Sequence, residues 1–215
     1  MEGTQYSNDE IIILGAGGLA REIASWYNIS SHKNGNIIGF IDDNLDALND
    51  YNINLQILGK IDLEQIKYNQ SIICGISNVE VKEKLYHEIV KNKILVRSYI
   101  HESCLIGERT NLGTGFVLLP NALVSCDVSI GNLVLVNIGS QVGHDVSIGD
   151  FTSIMANVDI GGGAKIGKNV FIGSNAVILP GVVIPDNTRI GAGALVLKSI
   201  KQSGTYFGNP ARKIF

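Results

Sequence analysis

The chain has only four histidines, and one of them stands where an imidazole can work as a base. His144 is followed by Asp145 in the run Gln141-Val142-Gly143-His144-Asp145-Val146. A carboxylate beside the ring can orient or polarise it, leaving a nitrogen free to take a proton near pH 7. His32 sits in a polar loop and His87 on an expected helix, where a solvated role suffices, while His101 falls at an expected domain junction. Cys74, Cys104 and Cys126 are odd in number and lack C-x-x-C spacing, so neither a metal site nor a disulfide framework is expected. They read as small buried apolar residues.

A second kind of chemistry is written near the start. Gly15-Ala16-Gly17-Gly18-Leu19-Ala20 has G-x-G-x-x-A spacing and follows the apolar run 11–14, with a helical pattern after it. Such a turn lets backbone approach a phosphate and aims the amide groups of the helix at it. The next apolar run, 37–41, ends in Asp42-Asp43, placed to accept hydrogen bonds from a ribose or a base. A third run, 71–74, leads into Gly75-Ile76-Ser77-Asn78. Residues 79–92 read as a helix with Val81, Leu85, Ile89 and Val90 on its apolar side, and 94–96 as a further strand. Residues 1–98 therefore make a small βαβ-type, half-Rossmann-like α/β domain, too short for a whole dinucleotide fold and of a size for a mononucleotide or nucleotide sugar.

His144 itself belongs to a different architecture. Every sixth residue from Ile100 to Val196 is Ile, Leu or Val, seventeen in succession. A period of six fits neither a helix nor a half-buried strand. It fits a solenoid whose flat faces each send one large side chain inward, with glycine after the aliphatic residue serving the corners and small residues such as Ala156, Ala164, Ala176 and Ala194 between. Three hexads per coil give between five and six coils over residues 99–198. His144, two positions after the inward Val142, points away from that core. Residues 199–215, with the turn Gly208-Asn209-Pro210-Ala211, form a C-terminal cap.

With 215 residues, 45% hydrophobic and 17% charged, the chain can bury its cores without disulfides. The net charge of −3 is small and unclustered, so neither nucleic acid nor an anionic membrane is an expected partner. The first ten residues lack the apolar core of a signal peptide and no later run approaches a membrane span, which points to the cytoplasm.

The glycine-rich first domain, Asp42-Asp43, the Gly75-Ile76-Ser77-Asn78 turn, Gly143-His144-Asp145 within hexads and the closing Gly208-Asn209-Pro210-Ala211 together resemble the bacterial nucleotide-sugar N-acetyltransferases and sialic acid O-acetyltransferases, over residues 11–212. That resemblance implies a left-handed parallel β-helix, a homotrimer with sites between neighbouring β-helices, and acetyl-CoA as co-substrate. It implies that His144 takes a proton from the amine of a nucleotide-linked amino sugar, with Asp145 as its partner, and that the amine attacks the thioester directly, without a metal or an acetyl-enzyme. It places the nucleotide near Gly15, Ala16, Gly17, Gly18, Asp42, Asp43, Gly75 and Asn78, the acceptor pocket near Asn137, and pantetheine near Gly162 and Ala192. Some relatives carry a second histidine nine residues after the first, where this chain has Ser153, whose hydroxyl or a backbone amide would then meet the thioester carbonyl. A 4-amino-4,6-dideoxyhexose linked to dTDP or UDP is the acceptor class the resemblance favours. The alternatives are O-acetylation of a sugar hydroxyl, a zinc enzyme needing three histidine ligands, and a non-enzymatic nucleotide-sugar-binding scaffold.

Overall fold

The computed structural model describes residues 9–31 and 34–215, so the loop at His32 and most of the first ten residues lie outside the described residues. No helix among the described residues is long and apolar enough to cross a membrane. The chain divides into two compact units, one of residues up to 76 with 84–98, the other of residues 77–83 with 99–215.

In the first unit, β1 (Glu10–Leu14), β2 (Asn36–Ile41), β3 (Ile57–Gly59), β4 (Gln70–Cys74) and β5 (Leu95–Val96) form one parallel sheet in the order β3-β2-β1-β4-β5. Helix α1 (Gly18–Ile29) links β1 to β2, and α2 (Val79–Lys91) links β4 to β5. Ile11 to Leu14 are all buried, as a central parallel strand requires. Strand β3 was not foreseen, because three half-exposed residues carry too short a pattern to register. The order reverses at β1, so the turns after β1 and β4, at Gly15 and Gly75, flank the crevice where open α/β sheets take their ligands. Helix α2 departs in part from its expected apolar side: Ile89 is buried as expected and Leu85 is half-buried, but Val81 and Val90 are exposed, and Val79 and Lys82 are buried.

The second unit is the expected parallel β-helix. Seventeen two-residue strands, from β6 (Tyr99–Ile100) to β22 (Leu195–Val196), each end on one of the seventeen periodic aliphatics. Strands pair with those eighteen residues on, as Leu123 with Gln141 and Gln141 with Asp159, so three hexads complete a coil and three parallel sheets result. From Leu118 to Val196 every periodic aliphatic is buried. In the end coil, Ile100 and Ile106 are 45% and 38% exposed because no further coil stacks on them. A second inward column lies two residues before the first and contains Val128, Val146, Ala164 and Val182. Where it carries hydroxyls they are bonded to backbone: Ser140 Oγ donates to Met155 O at 2.7 Å and Thr152 Oγ1 to Gly167 O at 2.9 Å. Beyond β22, β23 (Thr205–Phe207) pairs with β21 (Arg189–Ile190), and β24 (Arg212–Lys213) folds back antiparallel.

The corners differ from their sequence reading. Left-handed backbone falls at every sixth position from Arg109 to Gly193, three residues after each aliphatic rather than one. Gly, Asn and Asp fill most of these slots, the residues that tolerate positive φ, but Leu133 and Phe151 also occupy them. The glycines just after the aliphatics answer to stacking instead: a β carbon on Gly107 would stand 2.5 Å from Cys126 N, and one on Gly149 2.5 Å from Lys168 N.

Residues 77–83 lie against one face of this β-helix. Lys82 is buried and its Nζ donates to Leu133 O at 2.8 Å and Thr152 O at 3.1 Å. Asn169 Nδ2 donates to Glu83 Oε2, and Arg189 Nη2 meets Glu80 Oε1 at 2.6 Å. Under this segment the normally outward positions Val117, Leu135 and Ser153 are buried.

Candidate functional site

His144 and Asp145 occupy the corner after β13 (Gln141–Val142). Asp145 takes a left-handed slot at φ 61° and its carboxylate curls back to the ring, Oδ2 lying 2.7 Å from His144 Nδ1. An ionised carboxylate only accepts, so Nδ1 carries the proton and Nε2 keeps its lone pair. Both side chains are about two-thirds exposed, at 67% and 65%. The arrangement holds the ring in one tautomer, in which Nε2 can accept a proton.

The eighteen-residue pairing sets out what lies above and below. The column through His144 reads Cys126, His144, Gly162, Pro180 and Lys198, and the column through Asp145 reads Arg109, Asp127, Asp145 and Gly163. Arg109 Nε and Nη2 grip Asp127 Oδ1 and Oδ2 at 2.6 and 2.7 Å. This fork, then the Cys126 thiol, holds the Asp127 carboxyl below the usual carboxylate range, with His144 adding to the effect. The sequence reading missed Arg109 and Asp127; reading every eighteenth residue back from Asp145 would have found them.

Of the other residues expected here, Gly162 lies directly beside the imidazole. Its N–H has no acceptor among the described residues, while Gly163 N donates to His144 O at 2.8 Å. Ser153 is placed otherwise than expected: it is fully buried and its hydroxyl donates to Ser77 O at 2.7 Å, so it is not available to a thioester. Nine residues are half a coil, which carries Ser153 to a different face. Asn137 is largely buried, with Oδ1 accepting from Ile138 N at 2.7 Å, and Ala192 is exposed. Both belong to the corner that precedes the β13 face, not to that of His144. Among the described residues no group of three or more His, Cys, Asp or Glu could hold a metal ion.

In the first unit, Gly15 has φ +86°, and its N–H donates to Ile41 O while Gly75 N–H donates to Leu14 O. A β carbon on Gly75 would stand 2.7 Å from Ala20 Cβ, so this glycine serves packing of helix on strand. Gly17 and Gly18 differ. Both are exposed, neither has positive φ, and nothing lies within 4 Å of a β carbon built on them. The fold asks for no glycine at either position. Gly17 caps α1 without a side-chain bond, leaving the first amides of the helix open. Asp42 is tied into the loop: Oδ2 accepts from Ala16 N at 2.6 Å and Oδ1 from Asn44 N at 2.8 Å. Asp43 Oδ1 accepts from Ile61 N at 3.2 Å. Arg21 Nη1 donates to Ala16 O and its guanidinium stacks on the Tyr51 ring at 3.7 Å, a contact with no signal in the sequence pattern. Asn78 groups with the other unit and caps α2, its Oδ1 accepting from Val81 N at 2.9 Å.

Residues 10–89 match the family described as PglD N-terminal domain, and residues 145–179 and 163–198 match bacterial transferase hexapeptide (six repeats). No curated protein matches the sequence. Among solved structures, the acetyltransferase domain of PglB from Neisseria gonorrhoeae FA1090 is 22% identical over 96% of this chain and 100% of that one, with a TM-score of 0.87. A mutant of perosamine N-acetyltransferase from Caulobacter crescentus, in complex with CoA and GDP-perosamine, is 21% identical over 97% and 98%, with a TM-score of 0.84. WeeI from Acinetobacter baumannii AYE is 26% identical over 96% and 100%, with a TM-score of 0.69.

Proposed function

Starting from a chain that joins a PglD N-terminal domain to bacterial transferase hexapeptide repeats, we propose that it is an acetyl-CoA-dependent N-acetyltransferase for the amine of a nucleotide-linked 4-amino-4,6-dideoxy sugar. The observation that carries this reading is the exposed imidazole whose Nδ1 is bonded to Asp145 at 2.7 Å. The neutral amine attacks the thioester carbonyl, and Nε2 of His144 takes the proton released as the C–N bond forms. Collapse breaks the C–S bond, and the same proton passes to the departing sulfur. The Gly162 N–H, beside the ring, takes over the oxyanion role once expected of Ser153.

The corner column gives the co-substrate a track. Lys198 stands three coils from His144, about 14 Å at a strand spacing of about 4.8 Å. It offers a cation to a phosphate at the far end of the pantetheine arm. Ala192, on another corner, would reach that arm only from a neighbouring copy. Two-thirds exposure of His144 and Asp145 fits a site closed by a second subunit, as in a homotrimer. The nucleotide takes the crevice at Gly15, Gly17 and Gly18, its phosphates on the α1 amides. Asp42 holds the loop and keeps lone pairs for a ring N–H, with Asp43 and Gly75 at the rim. Uracil and thymine both present such an N–H. The cytoplasm, where acetyl-CoA is available, is the site of action.

The test is thiol release from acetyl-CoA with UDP-, dTDP- and GDP-linked 4-amino sugars and free sialic acid, comparing the native protein with His144→Ala. Turnover of one UDP- or dTDP-linked amino sugar, reduced about 10²- to 10⁴-fold in the variant, is expected. Turnover of sialic acid alone, or of no amino sugar, overturns the reading.

A further inference from the structure

The ring of His144 does not hang free over its corner; it lies on Gly162. A β carbon built on Gly162 would stand 2.7 Å from both Cε1 and Nε2 of His144 and 3.1 Å from Nδ1, and these ring atoms are its nearest neighbours. Backbone conformation does not ask for glycine there. Gly162 has no left-handed φ, that slot belonging to Gly163. Elsewhere in the same corner column the chain carries Cys126, Pro180 and Lys198. The three atoms nearest to the missing side chain all belong to the imidazole.

We propose that Gly162 is a positioning residue for His144: the floor it provides holds the imidazole at the height where Nδ1 meets Asp145 and Nε2 faces the reacting amine. The proposal rests on the reading of His144 as the base. An added methyl cannot share the space with the ring. His144 is exposed on its other side, so the ring swings outward and the coil backbone stays. The hydrogen bond to Asp145 is then lost and Nε2 leaves its place. A displacement of about 1 Å at a reacting group costs on the order of 10²-fold in rate. Contact of Gly162 backbone with the pantetheine arm is a different role, with a different kinetic signature.

The experiment compares Gly162→Ala, His144→Ala and the double variant, using acetyl-CoA and whichever UDP- or dTDP-linked 4-amino-4,6-dideoxyhexose turns over, together with thermal melts and a crystal structure of Gly162→Ala. The expected result is a kcat lowered about 10- to 100-fold in Gly162→Ala, with KM for acetyl-CoA and the melting temperature near native and the ring rotated off Asp145. In the His144→Ala background the same methyl costs no further activity. A native kcat, a ring still bonded to Asp145, or a further loss in the His144→Ala background overturns the proposal. If Gly162→Ala alone does not fold, the double variant must fold, since the obstructing ring is gone; failure of both also overturns it. Full activity in His144→Ala would instead sink the reading of His144 as base, while the ring position in the Gly162→Ala crystal still decides the seat.

Discussion

Asp145 does two jobs that can be separated by substitution. Its backbone sits at φ 61°, a slot that Asn fills at five other corners, and its carboxylate holds Nδ1 of His144. Asp145→Asn keeps the backbone preference and an acceptor but removes the charge that stabilises an imidazolium. We expect kcat to fall roughly 10- to 100-fold with the urea midpoint unchanged. Asp145→Ala should lose stability as well, by about 1 kcal/mol, because alanine resists the left-handed region. The pair was legible in the sequence because the hexad pattern fixes which side chains point out. Arg109 and Asp127 were not, since they join Asp145 only through the eighteen-residue stacking of coils. Ser153 was misread for the reverse reason: a count of nine along the chain says nothing of the segment that covers it.

At the scale of elements, the instructive case is α2. A pattern of apolar residues chose Val81, Leu85, Ile89 and Val90 as its buried side; Ile89 is buried, but Val81 and Val90 are exposed and Lys82 goes inside. The lysine belongs there because its ammonium group finds two carbonyl oxygens, those of Leu133 and Thr152. No periodicity argument can supply that, since it depends on acceptors fifty and more residues away. Leu133 is also one of the bulky residues held at positive φ, at 49°, so the bond anchors a corner that leucine would otherwise avoid. Lys82→Met keeps the length and removes the donors, leaving buried acceptors without that partner. Urea denaturation should show a loss of about 1–3 kcal/mol, with m unchanged. The β-helix itself was legible down to its strand ends, because each strand closes on a residue of the aliphatic column; β3 was not, having three residues and no period.

For the whole molecule, one buried phenol ties stability to alkaline pH. Burial pushes the Tyr99 hydroxyl up from 10.0 to about 12, with nearby Cys104 and Glu102 adding to the shift. The folded state therefore favours the neutral phenol. Its contribution is complete below the unfolded value of 10.0 and is lost as pH rises towards about 12. The urea midpoint should fall as pH rises from 10.0 towards about 12, and fall less in Tyr99→Phe.

The corner ladder gives the polypeptide a screw thread. A hexad inserted between His144 and Lys198 would turn every later side chain through a third of a revolution and carry Lys198 to a different corner. Eighteen inserted residues would restore its bearing and only lengthen the reach by one thread, about 4.8 Å. Distance along this surface is thus set in whole threads, and a co-substrate of different length would be matched by adding or removing a complete coil rather than by adjusting a loop.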